Sequence, residues 1–231
     1  MSNIDYNTPL ETVSLLLDAD KMCQLIVANA LSIVGISASK PETYKMFEDL
    51  LGPTKGVWDL KRPFKVWQEK GQWKTQGVST CGLVARGIWR RVGVDMDKIY
   101  KNYNSGMAMI EEQTFCRAVK PRSVWYVPAK DSETVPLPGD YIIIGTGLGT
   151  HNITCVGWNG DKLISVDGGR VDKKTGLQCI ELVEREVITK NGYNYLKDDR
   201  STRQIMGWAM VDLLPYRATA VGPVGWESVV I

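Results

Sequence analysis

Hydrophobic positions recur at helical spacing in the first half of the chain and gather into short runs and alternations after residue 120. Leu10, Val13, Leu16 and Leu17, then Met22, Ile26, Val27, Ala30, Leu31 and Val34, predict helix across residues 9–36. Asp18 to Asp20 interrupt that pattern, and Gly35 is its stop. Pro41 opens another helix through Met46, Phe47 and Leu50, with Gly52 past its end. Residues 56–78 contain Trp58, Trp67 and Trp73 but hold no sustained period, so they are expected to be irregular structure over or beside the next helix. Their tryptophans either line a groove or sit in the core under a long loop.

The next helix begins at Cys81 and puts Cys81, Val84, Ala85, Ile88, Trp89 and Val92 on one stripe. Arg90 and Arg91 fall in its last turn, where they complement the dipole, and Gly93 ends it. Shorter helices are expected at Asp95 to Tyr100 and Met107 to Val119. The period then changes. Tyr141 to Ile144, Asn152 to Gly157, Lys162 to Val166, Cys179 to Ile188 and Gln204 to Leu213 read as strands, most of them bounded by turn residues such as Asn159-Gly160 and Asn191-Gly192. Helices first and a largely antiparallel sheet second predict an α+β fold. The expected organisation is one domain over residues 1–231. It comprises a helical, Trp-rich part (1–78), the Cys81 helix and following helices (79–119), a sheet (120–215) and a C-terminal coil (216–231).

Composition narrows the picture. At 44% hydrophobic and 23% charged, the chain is ordinary for a soluble globular protein. The 28 basic residues against 26 acidic show no basic run or stripe, which gives no support for nucleic-acid binding. The five cysteines are odd in number and lack metal-ligand spacing, so neither a disulfide framework nor a zinc site is indicated, and no cofactor is implied. The N-terminus lacks the basic and apolar regions of a secretion signal, which predicts a cytoplasmic product made without a Sec-type leader. The most apolar stretch, Cys23 to Ile36, is too short to span a bilayer and carries Gln24, Asn29 and Ser32, so no membrane association is expected.

The candidate chemistry starts at Cys81. Ser79 or Thr80 can cap the helix, leaving the thiol at its positive end, where a thiolate is favoured. A cysteine nucleophile with an imidazole base must use His151, the chain's one histidine. His151 opens a strand after the Gly145 to Thr150 loop, whose three glycines leave room for a substrate to approach the backbone. A three-residue loop at Trp158-Asn159-Gly160 would place Asp167 directly opposite His151 on the same face; a two-residue Asn-Gly loop would turn it away. The first register gives a triad of Cys81 as nucleophile, His151 as base and then acid, and Asp167 as orienting group. The oxyanion donors would be the Cys81 backbone N–H and one further group. Cys155 shares the His151 strand and face but lies about 13 Å along it, so it reads as core, as do Cys23 and Cys179.

Four motifs resemble the NlpC-type and CHAP-type cysteine peptidases and amidases. They are Ser79-Thr80-Cys81-Gly82-Leu83-Val84, Leu137-Pro138-Gly139-Asp140-Tyr141-Ile142, His151-Asn152-Ile153-Thr154-Cys155-Val156-Gly157 and Val166-Asp167-Gly168-Gly169. The resemblance spans roughly residues 20 to 215 and departs at Thr80 and Gly82, where the family commonly has Asp and Ser. It implies a papain-like α+β fold, hydrolysis of amide bonds in peptidoglycan stem peptides, catalytic roles for Cys81, His151 and Asp167, and a structural role for Asp140. A wall substrate then implies leaderless export or release by lysis, and a toxin implies a cognate immunity protein that blocks the cleft. Two other readings stand beside this one: an intracellular protease, deamidase or acyltransferase of the same fold, and an inactive binding module.

Overall fold

The computed structural model of the protein describes residues 19–51, 60–61, 63, 65–70, 72–76, 79–94, 125–145, 149–211, 219–221 and 228–230. Three helices are present among them. In α1 (Ala19–Ser32), Met22, Leu25, Ile26, Val27 and Ala30 are buried, and the chain leaves through Gly35 at φ 88°. Residues 35–38 then bond to the start of a later strand, with Ile180 N–H donating to the Ile36 carbonyl at 2.9 Å. In α2 (Pro41–Leu51), Phe47, Leu50 and Leu51 are buried, and Pro41 stands at its first position as expected.

Helix α3 (Cys81–Arg91) is buried on more than one stripe, with every residue from Cys81 to Trp89 out of solvent. The cause is its place between the other helices and the sheet. A Cβ on Gly87 would collide with the Leu50 carbonyl, so only glycine permits this approach of α2 and α3. Arg90 and Arg91 serve neighbouring helices more than their own. Arg90 donates to the Asp49 and Leu50 carbonyls, each at 3.0 Å, and so closes the end of α2; Arg91 donates to Asn29 at 3.1 Å.

The expected papain-like α+β arrangement, with N-terminal helices packed on a largely antiparallel sheet, is not the fold. The protein is mostly sheet, and six antiparallel strands close into a barrel. Around the ring run β4 (Tyr141–Ile144), β5 (His151–Asn159), β6 (Lys162–Val171), β7 (Gln178–Lys190), β8 (Tyr193–Lys197) and β9 (Thr202–Ala209), with β8 pairing back onto β9 and β9 onto β4. A short β3 (Trp125–Tyr126) adds to β9. The closing strand has no counterpart among the predicted ones, because β8 is five residues long and only Leu196 in it is buried. Asn191 and Gly192, at φ 55° and 78°, supply the left-handed turn that leads into it.

Strand parity explains why closure is stable. Tyr141, Ile143, Val166, Ile180 and Ala209 pack with the helices outside the barrel. Ile142, Ile144, Ile153, Cys155, Leu163, Leu196, Ile205 and Trp208 form a second core inside it. The unbroken apolar run of β4 is thus buried on both faces, as such runs require. Two smaller corrections follow. Part of the stretch expected to be irregular pairs as β1 (Lys65–Glu69) and β2 (Gln72–Gln76), on which Trp67 is exposed. Part of the expected C-terminal coil pairs as β10 (Thr219–Val221) and β11 (Ser228–Val230). The helices expected at 95–100 and 107–119, together with residues 9–18, lie outside the described residues. Among the described residues no helix is long and apolar enough to cross a membrane.

Candidate active site

Cys81 is the first residue of α3, and the segment before it is held from three directions. Gln178 of β7 accepts from the Thr80 N–H at 2.7 Å, and Ser79 Oγ accepts from the Cys81 N–H at 3.3 Å. Ser79 is therefore the capping side chain; Thr80 occupies the N-cap position without a side-chain cap bond. On the third side, β6 breaks register between Asp167 and Arg170. A Cβ on Gly168 would collide with Val84, and one on Gly169 would meet Ser79 Oγ and lie 3.0 Å from the Cys81 nitrogen. Gly169 also has φ 68°. The two glycines let the start of α3 seat against the strand that carries Asp167.

The expected hairpin register is not the one that forms. The β5–β6 loop is the two-residue Gly160-Asp161, with Asn159 paired to Lys162. Continued unbroken, that register would set Asp167 opposite Thr154, on the wrong face. A bulge between Cys155 and Gly157 shifts the pairing to Thr154 with Val166, which brings Asp167 level with Ile153 and onto the His151 face. His151 and Asp167 are then diagonal neighbours, and the imidazole spans the offset. His151 Nε2 bonds Asp167 Oδ2 at 2.8 Å.

His151 also acts on the Cys81 thiol, lowering its pKa while its own is raised, so the structure brings all three expected residues together. With Nε2 engaged by Asp167, Nδ1 is the nitrogen left for the thiol. Burial pushes the Cys81 thiol up, but the hydrogen bond and charge of His151, helped by Ser79 and the Asn152 backbone, bring it from 9.0 down to about 7. Burial pushes His151 down, and its bonds to Asp167 and Cys81 outweigh that to raise it above the ordinary 6.5. Each partner favours the charged form of the other, which is the condition for a thiolate–imidazolium pair.

Four supporting residues carry no sequence signal of their own. Arg185, 1% exposed inside the barrel, grips Asp167 with both arms, Nη2 to Oδ2 at 2.6 Å and Nη1 to Oδ1 at 3.2 Å. Ser165 Oγ donates to Asp167 Oδ1 at 2.6 Å. Burial alone would raise this carboxyl; the Arg185 charge and the His151 bond instead hold it far below the usual carboxylate range. Gln178 is the third, and Asn152 the fourth. Asn152 is fully buried, points Nδ2 at Cys81 Sγ from 3.8 Å, and leaves Oδ1 without a hydrogen bond. Only the inward parity of Arg185 in a strand, a poor place for a lone cation, could have drawn attention beforehand.

The remaining candidates fall elsewhere. Cys155 lies in the barrel core, where burial drives its thiol far upward, and Cys179 is pushed up to about 12 by burial and Glu181. Asp140 is structural: it accepts from Leu137 N–H at 2.8 Å and Val211 N–H at 3.0 Å. Residues 146–148 of the glycine loop lie outside the described residues. In comparisons with known proteins, no family model matches the chain and no curated protein matches its sequence.

Proposed function

We propose that the protein is a cysteine hydrolase that cleaves amide bonds, with Cys81 as nucleophile, His151 as acid and base, and Asp167 as the orienting group. One observation carries this reading: the chain's one histidine bonds a buried carboxylate and acts on a buried thiol whose pKa it lowers. The Cys81 thiolate adds to the substrate carbonyl carbon, and the carbonyl electron pair moves onto oxygen. Two donors face that oxygen, the Cys81 N–H, released from Ser79, and Asn152 Nδ2. The C–N bond then breaks as the Nδ1 proton passes to the leaving amine. A water gives its proton to the neutral imidazole, its oxygen adds to the thioester, and the C–S bond breaks to restore thiolate and imidazolium. Asp167, fixed by Arg185, keeps the ring in the tautomer this sequence needs.

The substrate class rests on the short motifs around Cys81, Asp140, His151 and Asp167, which resemble those of NlpC-type and CHAP-type enzymes. They point to peptidoglycan stem peptides. A wall hydrolase deployed as a toxin would be made with an immunity protein that blocks the site. The test is a digest of purified peptidoglycan from several wall types, with fragments identified by mass spectrometry. Wild-type protein should release fragments cleaved within, or at the attachment of, the stem peptide, and Cys81→Ala should release none. Intact stem peptides from every wall type would remove the substrate assignment.

A further inference from the structure

A cation stands beside this site with no carboxylate of its own. Ile144 of β4 pairs with His151 on one side and with Ile205 on the other, and directly paired residues share a face. Arg203 lies two residues along β9 from Ile205 and pairs with Leu196, so it shares the inward face. Its Nη1 donates at 3.0 Å to the carbonyl of Gly149, two residues before His151, and its Nε to Ser201 Oγ at 3.3 Å. Its charge reaches Cys81, Asp198 and Asp167.

The neighbouring guanidiniums are differently placed. Arg170 holds Glu181 and Asp198, Arg185 holds Asp167 and Asp198, and Arg200 holds Glu181. Asp167 and Asp198 are thus already engaged, and Arg203 bonds only a carbonyl and a hydroxyl among the described residues. It is half-buried, which makes a cation without a counter-charge costly. Its Nη2 makes no hydrogen bond among the described residues, and a guanidinium N–H gives a carboxylate a charge-assisted hydrogen bond.

We propose that Arg203 anchors a carboxylate of the substrate, so that Cys81 acts on amides bearing a free carboxylate close to the scissile bond. This rests on Cys81 being the reacting atom and deepens the hydrolase reading into an acidic-peptide specificity. The experiment compares alkylation of Cys81 by iodoacetate, which carries a carboxylate, and by iodoacetamide, its neutral analogue. Mass spectrometry gives the rate at Cys81 in wild type, Arg203→Gln and Arg203→Lys. The iodoacetate-to-iodoacetamide rate ratio should fall about tenfold in Arg203→Gln and stay near wild type in Arg203→Lys. An equal ratio in all three proteins overturns the anchor.

A second arm uses matched stem peptides with a free carboxylate or a carboxamide next to the cleaved bond. Wild type should prefer the carboxylate form, and Arg203→Gln should lose that preference chiefly through KM. A wild-type enzyme that turns over both forms equally overturns the anchor while leaving the hydrolase intact. A charge-dependent alkylation ratio with no turnover of either peptide keeps the anion site and removes the stem-peptide substrate.

Discussion

Burial alone would make Cys81, 1% exposed, as inert as Cys155. What separates the two thiols is a partner: His151 sits beside Cys81, whereas Cys155 is surrounded by Ile, Leu and Trp side chains. The pH dependence follows. Cys81 is brought down to about 7, so raising pH through about 7 forms the thiolate, and His151, raised above its ordinary value, keeps its charged form to higher pH than a free imidazole. Iodoacetamide labelling of Cys81 should reach half its maximal rate at about pH 7, and His151→Ala should move that midpoint up toward the ordinary thiol value. A wild-type midpoint above 8.5, about where a free cysteine titrates, would discard the activated pair. On peptidoglycan, Cys81→Ala should abolish cleavage, and Asp167→Asn should slow it by a smaller factor, since the thiol and imidazole remain. Asp167→Asn cleaving at the wild-type rate would take Asp167 out of the mechanism. These three residues were legible because cysteine, histidine and aspartate are chemically scarce types at recognisable positions. Asn152 and Arg203 were not, because what they touch comes from neighbours far away in sequence.

At the level of elements, the site depends on two irregularities that sequence periodicity cannot register. The bulge between Cys155 and Gly157 puts Asp167 on the His151 face, and the Gly168-Gly169 break lets α3 seat against β6. His151 and Asp167 therefore meet through a register different from the one that predicted their meeting. Asp-Gly-Gly reads locally as turn chemistry, yet these glycines stand within a strand because a helix start occupies the space of their side chains. Gly169→Ala must hold a left-handed φ, costing about 1–2 kcal/mol, and must push back Ser79 and the Cys81 nitrogen. It should lower the melting temperature and slow Cys81 labelling together. Gly157→Ala is the comparison on the same sheet, beside the bulge and away from the α3 seat, because its added Cβ meets nothing within 4 Å. Equal effects from the two substitutions would mean that the seat of α3 does not set the nucleophile.

For the whole molecule, barrel closure converts a surface carboxylate into a buried one and so creates the need for Arg185. An open sheet would leave Asp167 to solvent; inside the ring it is fully buried, and the adjacent strand β7 supplies its counter-charge. That is why the fold class was misjudged from sequence even though Cys81, His151 and Asp167 do come together. Closure depends on β8, a short and mostly polar strand, and its consequence is a charge pair that no local pattern announces. Arg185→Leu leaves the Asp167 carboxylate with Ser165 and His151 only, and stranding one member of a buried pair costs roughly 3–5 kcal/mol. Because folding lowers the Asp167 pKa, its contribution to stability is present above the unfolded value of about 4 and is lost as pH falls below it. In Arg185→Leu the carboxyl should instead ionise at a higher pH, so the variant's deficit relative to wild type should shrink on acidification. Urea unfolding between pH 3 and 7 measures this directly. The double variant Arg185→Leu/Asp167→Leu should be more stable than Arg185→Leu alone, because the stranded carboxylate is gone from the barrel. Strictly additive losses in the two single variants would show that the pair is not coupled and that Arg185 does not set the charge of Asp167.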